Sequence, residues 1–398
     1  MLAACLLTDQ SITLHNVPAI EDVSVMLEIL CGMGVSVNRT GSTVQLCARG
    51  LRDQHPSESL CRRVRASILL AGPLAARHGR AVLPAPGGDL IGRRRLDTHV
   101  TGLRELGIHV EETGHFVFRR KQLKGANILL DEASVTATEN IIMAASLAKG
   151  ETTIFPAACE PHVIDLCNLL NAMGASIEGH GTNRILIRGQ GELTCAEHTI
   201  SPDYIEIASF SAAAAVTGGD LSIADLEPSD TYRVLARGFQ KLGLIWSIEN
   251  RVFTLSSPQH LRIQQDLGSC IPKIEDGIWP SFPSDVMSIA IVVASQAQGT
   301  ILFFEKLFES RMFFVDRLIE MGARIVQCDP HRIVIQGPSS LQASHMTSPD
   351  IRAGMSMLVA ALCANGTSVI EQAQMIDRGY ERIEERLRSL GAKIEREP

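Results

Sequence analysis

Apolar and small residues recur along this chain in a fixed succession. An alanine- and serine-rich helix comes first, then a glycine turn and a β-branched strand. An amphipathic helix closed by a second glycine follows, then one or two short strands. The clearest copy reads "TENIIMAASLAKGETTIFPAACEPHVIDLCNLLNAMGASIEGHGTNRILIRG". In it Val163, Leu166, Leu170 and Met173 fall at helical spacing and predict one buried stripe, with Gly174 placed to end the helix in a left-handed cap. Thr152 to Phe155 and Arg184 to Ile187 are short and β-branched, which predicts strands. The turn glycines Gly79, Gly150, Gly219, Gly299 and Gly366 are spaced by 71, 69, 80 and 67 residues, and Thr8 takes the same place at the start. Six approximate repeats therefore fill the chain.

One repeat cannot cover its own sheet and helices, so neighbours must share a core. Three repeats per domain suit the length. This predicts domains at 1–201 and 202–398, with the dividing connection at Ser201 and Pro202. The first repeat opens with "MLAACLLTD", inside its first helix. A strand that precedes this helix in later repeats is expected to be missing, with a start further upstream. The first sheet is then expected to expose an edge.

Composition narrows the function classes. The 398 residues are 45% hydrophobic and 20% charged, a globular mix. Lys and Arg number 37 against 44 Asp and Glu, a net charge of −7, which argues against a general grip on nucleic acid. Aromatics make up 4%, with tryptophan only at Trp246 and Trp279, which leaves little for base stacking. No apolar run approaches the roughly 20 residues that span a bilayer. The first basic residue is Arg39, so a signal peptide is not expected. Ten cysteines are scattered without CxxC spacing. Together these features predict a cytoplasmic protein with reduced thiols, no membrane insertion and no metal site. No Walker loop or dinucleotide fingerprint is present, and no cofactor is predicted.

Eight stretches carry more specific information: "RASILLAGPLAA", "PGGDLIGRRRLDTH", "SVTATENIIMAA", "EPHVIDLCNLLNAMGA", "FPSDVMS", "FESRMFFVDRLIEMGA", "DIRAGMSMLVAAL" and "IDRGYERIEERLRSLGA". In this order, over essentially the whole chain, they resemble the enolpyruvyl transferase family, in the branch that uses UDP-N-acetylglucosamine. The resemblance implies an α/β (α+β) fold of six βαβαββ-like units in two domains, an inside-out α/β barrel, with substrates bound between the domains. It implies transfer of the enolpyruvyl group of phosphoenolpyruvate to the 3′-hydroxyl of UDP-N-acetylglucosamine, with phosphate released, as the first committed step of peptidoglycan synthesis. A monomer or weak homo-oligomer is expected.

Residue by residue, the resemblance assigns Arg65, Arg94, Arg352 and Arg378 to phosphoenolpyruvate. This suits a small, highly anionic ligand, since each guanidinium can bind two oxygens at once. The segment 84–99 matches a loop that closes over substrates. Within it Asp89 stands where the family usually has a cysteine that fosfomycin alkylates, and Arg95 stands where proline is usual. A carboxyl, like a thiol, can deliver a proton, so Asp89 is read as a functional replacement. Asp285 matches the residue assigned to the sugar 3′-hydroxyl; by position alone it would be a helix N-cap. Asp97, Glu160, Asp203, Phe308 and Glu309 match residues around the sugar nucleotide. Val135, Thr136 and Ala137 form a small-residue loop suited to backbone contacts with a diphosphate. His99 is read as orienting the loop. The family carries a Lys-Asn pair before its first helix, upstream of Met1. Other readings stay open: enolpyruvyl transfer to another nucleoside or sugar nucleotide, or to 3-phosphoshikimate; a noncatalytic sugar-nucleotide-binding paralogue; or processing of nucleic-acid ends.

Overall fold

The computed structural model describes residues 1–89 and 91–397. Contacts divide the chain into two compact units. One holds residues 1–89 and 94–201; the other holds 91–93 and 202–397.

In the first unit the helices Ala71–His78 and Val135–Ala145 pack on each other, and Ala71–His78 packs on the short turn Leu2–Leu7. These elements are buried on nearly every side, which their alanine-rich sequences allow, because small side chains let helix backbones approach closely. The outer helices Glu21–Gly32, Asp97–Glu105 and Pro161–Ala172 bury only one stripe. In the last of these, Val163, Leu166 and Leu170 face the core, and Gly174 follows with φ +99°. Three sheets lie around the inner helices. Strands Glu151–Phe155 and Ile185–Arg188 pair antiparallel within one of them.

The second unit repeats the plan. Helices Tyr204–Thr217, Met287–Gln296 and Ile351–Cys363 contact one another, and every residue from Met287 to Ser295 is buried. Three further sheets lie around them; the last has only the strands His345–Thr347 and Val369–Glu371. Helices are thus inside and sheets outside in each unit, but among the described residues the sheets stay separate and none closes into a barrel. No helix among them is long and apolar enough to cross a membrane.

Two expectations need correction. The side of Ile12–His15 expected to lie bare is filled. Strand Ile12–His15 is flanked on one side by Thr43–Cys47 and on the other, in parallel, by Ala196–Thr199 from the end of the same unit. Asn127–Leu129 and Lys273–Glu275 fill the corresponding place beside Glu151–Phe155 and Gly299–Phe304, also in parallel. The turn glycine of the fourth repeat is Gly218 (φ +71°), not Gly219; Gly218 caps the helix ending at Thr217.

Close helix packing is testable at single atoms. A Cβ at Gly72 would overlap the backbone carbonyl of Asn140, whereas one at Gly32, on an outer helix, would meet nothing. Gly72→Ala is expected to lower stability by about 1–3 kcal/mol in urea unfolding. Gly32→Ala is expected to raise it by about 0.5–1 kcal/mol, because alanine loses less backbone freedom on folding.

Candidate active site

The first unit gathers cations around backbone. Arg65 begins a short 3₁₀ turn, Arg65–Leu70, and its guanidinium donates to the carbonyls of Arg94 (2.8 Å) and Arg95 (3.4 Å). Burial and the neighbouring Arg94 charge pull Arg65 down to about 10. An anion placed beside Arg65 would offset both effects. The loop glycines serve close approach. Gly87 donates to the Cys61 carbonyl (3.1 Å), and a Cβ on it would overlap the Arg62 carbonyl. Gly88, at φ +101°, lies against the Arg65 backbone and Cβ. Asp89 follows directly on this seated stretch.

Beyond the loop, Asp97 opens the helix Asp97–Glu105 and pairs with Arg95 at 2.6 Å, both groups exposed. His99 is buried on the same helix. Asn140 fixes its tautomer. The Asn140 carbonyl oxygen accepts from Gly72 N (2.8 Å), and its amide nitrogen donates to the Ile68 carbonyl (2.8 Å) and to His99 Nδ1 (3.0 Å). His99 Nε2 therefore carries the hydrogen and donates to Thr136 Oγ (3.1 Å). Burial, with the Arg65 charge adding, depresses His99 to about 3, so it stands neutral as a positioning group.

Val135, Thr136 and Ala137 are not a loop but the first turn of Val135–Ala145. Their N–H groups precede the first intrahelical bond, from Thr138 N to Ser134 O (2.9 Å). Glu160 caps the backbone entrance of Pro161–Ala172. Half-buried Glu139 lies near enough for the Glu160 charge to add to the effect of burial, which raises it to about 7.

In the second unit, Asp285 sits in the 3₁₀ turn Ser284–Val286 that leads into Met287–Gln296. Its side chain caps neither helix. Oδ1 instead accepts from Arg311 (3.0 Å) and from Arg352 Nε (3.4 Å), while the side chain keeps 43% exposure. Arg311 is 5% exposed and stacks on Phe308, 5.2 Å from ring centre. Arg352 rises from the first turn of Ile351–Cys363, where Asp350 accepts from its backbone N–H (2.8 Å), and leans over the Tyr380 ring. Burial alone would lower Arg352, but Asp285, Tyr380 and Asp203 facing it raise it beyond the usual range. Asp203 caps Tyr204–Thr217 through Ile205 N (2.8 Å). Arg378 follows the short helix Gln374–Asp377, two residues before Tyr380, whose hydroxyl meets Ser209 Oγ at 2.8 Å. Residues 91–93 also belong to this unit. Ser310 N donates to the Ile91 carbonyl (3.1 Å) and Arg93 N to the Glu309 carboxylate (3.2 Å). Its own backbone N–H and that of Arg93 pull Glu309 down.

Arg311 was not among the residues singled out from sequence, although "FESR" contains it. Only the fold reveals that it points back at Asp285, 26 positions earlier. Equally hidden was a buried carboxyl pair, Asp276 and Glu305, directly behind Ser284. Burial and the adjoining Asp276 push Glu305 up to about 9.

The model of the EPSP synthase (3-phosphoshikimate 1-carboxyvinyltransferase) family matches residues 1–387. The chain is 54% identical over 395 residues to a UDP-N-acetylglucosamine 1-carboxyvinyltransferase of Treponema denticola, covering 99% of this chain and 92% of that one. It is 53% identical over 399 residues to the protein of the same name from Bradyrhizobium diazoefficiens, covering 100% and 92%. Among solved structures, the enolpyruvyl transferase NikO from Streptomyces tendae superposes with TM-score 0.87 at 21% identity, over 99% of this chain and 92% of that one. An EPSP synthase from Acinetobacter baumannii gives 0.75 at 20%, over 99% and 94%. These two likenesses speak to the fold.

The neutral state of His99 has a consequence for stability. The unfolded chain binds a proton near 6.5, which the folded chain refuses until about 3. The contribution of His99 is therefore whole above 6.5 and is lost as pH falls toward 3. Between about pH 7 and about pH 5 the urea midpoint of the wild type should drop relative to that of His99→Gln. The same pH dependence in both chains would show that His99 is charged in the fold.

Proposed function

The chain belongs to the EPSP synthase family, and we propose that it transfers the enolpyruvyl group of phosphoenolpyruvate to the 3′-hydroxyl of UDP-N-acetylglucosamine, releasing phosphate, as the first committed step of peptidoglycan synthesis. One observation carries the acceptor: relatives named for that activity match at 53% to 54% identity along the whole chain. The reading suits a cytoplasmic monomer or weak homo-oligomer.

The chemistry is addition followed by elimination. C3 of phosphoenolpyruvate takes a proton, C2 becomes electrophilic, and the sugar 3′-oxygen adds there as its proton leaves. Loss of a C3 proton then expels phosphate and restores the enol ether. In this reading Asp89 is the acid that serves C3, in the place of the family's cysteine. Asp285 receives the 3′-hydroxyl proton, its carboxylate aimed by Arg311 and Arg352. Arg65, Arg94, Arg352 and Arg378 hold the carboxylate and phosphate; the lowering of Arg65 by burial and by the Arg94 charge supports an anion there. The first-turn N–H groups of Val135, Thr136 and Ala137 suit the diphosphate. Asp97, Glu160, Asp203, Phe308 and Glu309 complete the sugar-nucleotide contacts.

Phosphate release from phosphoenolpyruvate should require UDP-N-acetylglucosamine and should not occur with 3-phosphoshikimate or a free nucleoside. Release with either of those and none with the sugar nucleotide would reassign the acceptor. Intact-mass spectrometry after fosfomycin should show no adduct in the loop of the wild-type chain, and one new adduct in Asp89→Cys. An adduct on Asp89 itself would refute its role as an unreactive replacement. The cysteines exposed elsewhere, Cys31, Cys195, Cys270 and Cys328, serve as controls in the same peptide map.

A further inference from the structure

The second unit contains two carboxyl groups that the reaction scheme leaves unused. Strands Lys273–Glu275 and Gly299–Phe304 run parallel, with Glu275 level with Phe304, so the next residue on each, Asp276 and Glu305, arrive side by side. Both are 0% exposed. Asp276 N donates to the Phe304 carbonyl (3.2 Å), and Lys306 N donates to Asp276 Oδ1 (2.5 Å). Glu305 accepts from Ser284 Oγ (3.0 Å) and from Phe308 N, at Oε1 (3.2 Å). Its backbone is held by His331, which accepts the Glu305 N–H (2.8 Å) and meets the Glu305 carbonyl through Nδ1 (2.7 Å). Asp276 Oδ2 is buried without a hydrogen-bond partner, and the Asp276 carboxyl adjoins that of Glu305.

Charge decides what this arrangement can be. The groups facing Glu305 are Asp276, Arg311, Ser284 and, at its backbone, His331. Lys306, the next residue, is exposed and its ammonium lies 3.5 Å from Glu275. Arg311 has its own carboxylate in Asp285. Two touching, buried carboxylates therefore have one partly committed cation between them, and both cannot stay ionised. A single proton completes the pattern. Glu305 Oε2–H donates to Asp276 Oδ2, while Oε1 accepts from Ser284 and Phe308. Every buried polar atom of the pair then has a partner.

The position of the pair gives it a task. Ser284 immediately precedes Asp285, and Phe308 and Arg311 lie on the turn that Glu305 begins. We propose that Asp276 and Glu305 share one proton and act as positioning residues for Asp285, clamping Ser284 and the 305–311 turn so that Arg311 meets the Asp285 carboxylate. The kinetic consequence rests on the proposed function; the shared proton and the clamp do not. A folded chain that holds this proton binds one more than the unfolded chain between the ordinary carboxylate value and about 9. The stabilisation is whole below the ordinary value and is lost as pH rises through that window.

Two amide variants of the full chain imitate the paired state without the proton. In Glu305→Gln the carboxamide donates to Asp276 and accepts from Ser284 and Phe308. In Asp276→Asn the new amide donates to an ionised Glu305. Urea midpoints of the wild type should fall between about pH 6 and about pH 9, and both variants should flatten that fall. An ionised Glu305 paired with Arg311 gives the opposite result: Glu305→Gln would lose most at high pH, and that outcome overturns the shared proton. Glu305→Ala tests the clamp. In its crystal structure Asp285 should leave ion-pair reach of Arg311, and kcat should fall by about 100-fold with a smaller change in KM, while Glu305→Gln restores both. An unmoved Asp285 in Glu305→Ala overturns the clamp. A wild-type chain without transferase activity would count against the proposed function, and the unfolding and crystallographic results would still decide this proposal.

Discussion

A carboxylate shared by two sequestered guanidiniums is the interaction on which the second unit is organised. Asp285 stays partly exposed, while Arg311 is almost wholly enclosed and Arg352 is enclosed against Tyr380. Neither arginine could sit there without an anion, because a buried, unpaired charge is too costly to keep. Local sequence features answer that demand. Pro283 and Ser284 set the approach to Asp285. The Asp350 cap directs the first turn of Ile351–Cys363, and the stacked Phe308 supports Arg311. The paired acids Asp276 and Glu305 lie behind this arrangement and tie its two chain segments together.

The first unit poses the opposite problem. Arg65 and Arg94 come close, and Arg65 meets backbone carbonyls rather than a carboxylate. Asp285 is thus a carboxylate already met by cations, whereas Arg65 is a cation held on backbone carbonyls. A phosphorylated carboxylic acid and a sugar hydroxyl are the kinds of group that such surfaces would accept. The glycines around Asp89 belong to the same economy of space, since side chains at 87 and 88 would collide with the segment that delivers Arg65.

Much of the fold could be read from the chain because it rests on periodicity. The stripe Val163, Leu166, Leu170 and Met173 becomes a helix ending before a left-handed Gly174, and strands appear within a residue of where β-branched runs placed them. Features that depend on distant pairing could not be read this way. Nothing local indicates that Ala196–Thr199 would lie beside Ile12–His15, so the supposed bare edge was filled from the far end of the unit. Gly218 and Gly219 are adjacent, and only helix phase decides which takes the cap. Among candidate site residues, Asp285 looked like a helix cap because aspartate before an apolar helix usually is one. The side chains that claim it instead arrive from 26 and 67 positions away. Asp276 and Glu305 were invisible for the same reason, since a strand register makes them neighbours.

The central claim is that Asp285, aimed by Arg311 and Arg352, takes the proton of the acceptor hydroxyl. Single-turnover kinetics of Asp285→Asn with phosphoenolpyruvate and UDP-N-acetylglucosamine tests it most directly, because the amide keeps the shape of the carboxylate and removes its basicity. Both substrates are expected to bind within a few-fold of the wild type, while the chemical step slows by roughly 10²–10⁴. An Asp285→Asn enzyme that turns over at the wild-type rate would contradict it.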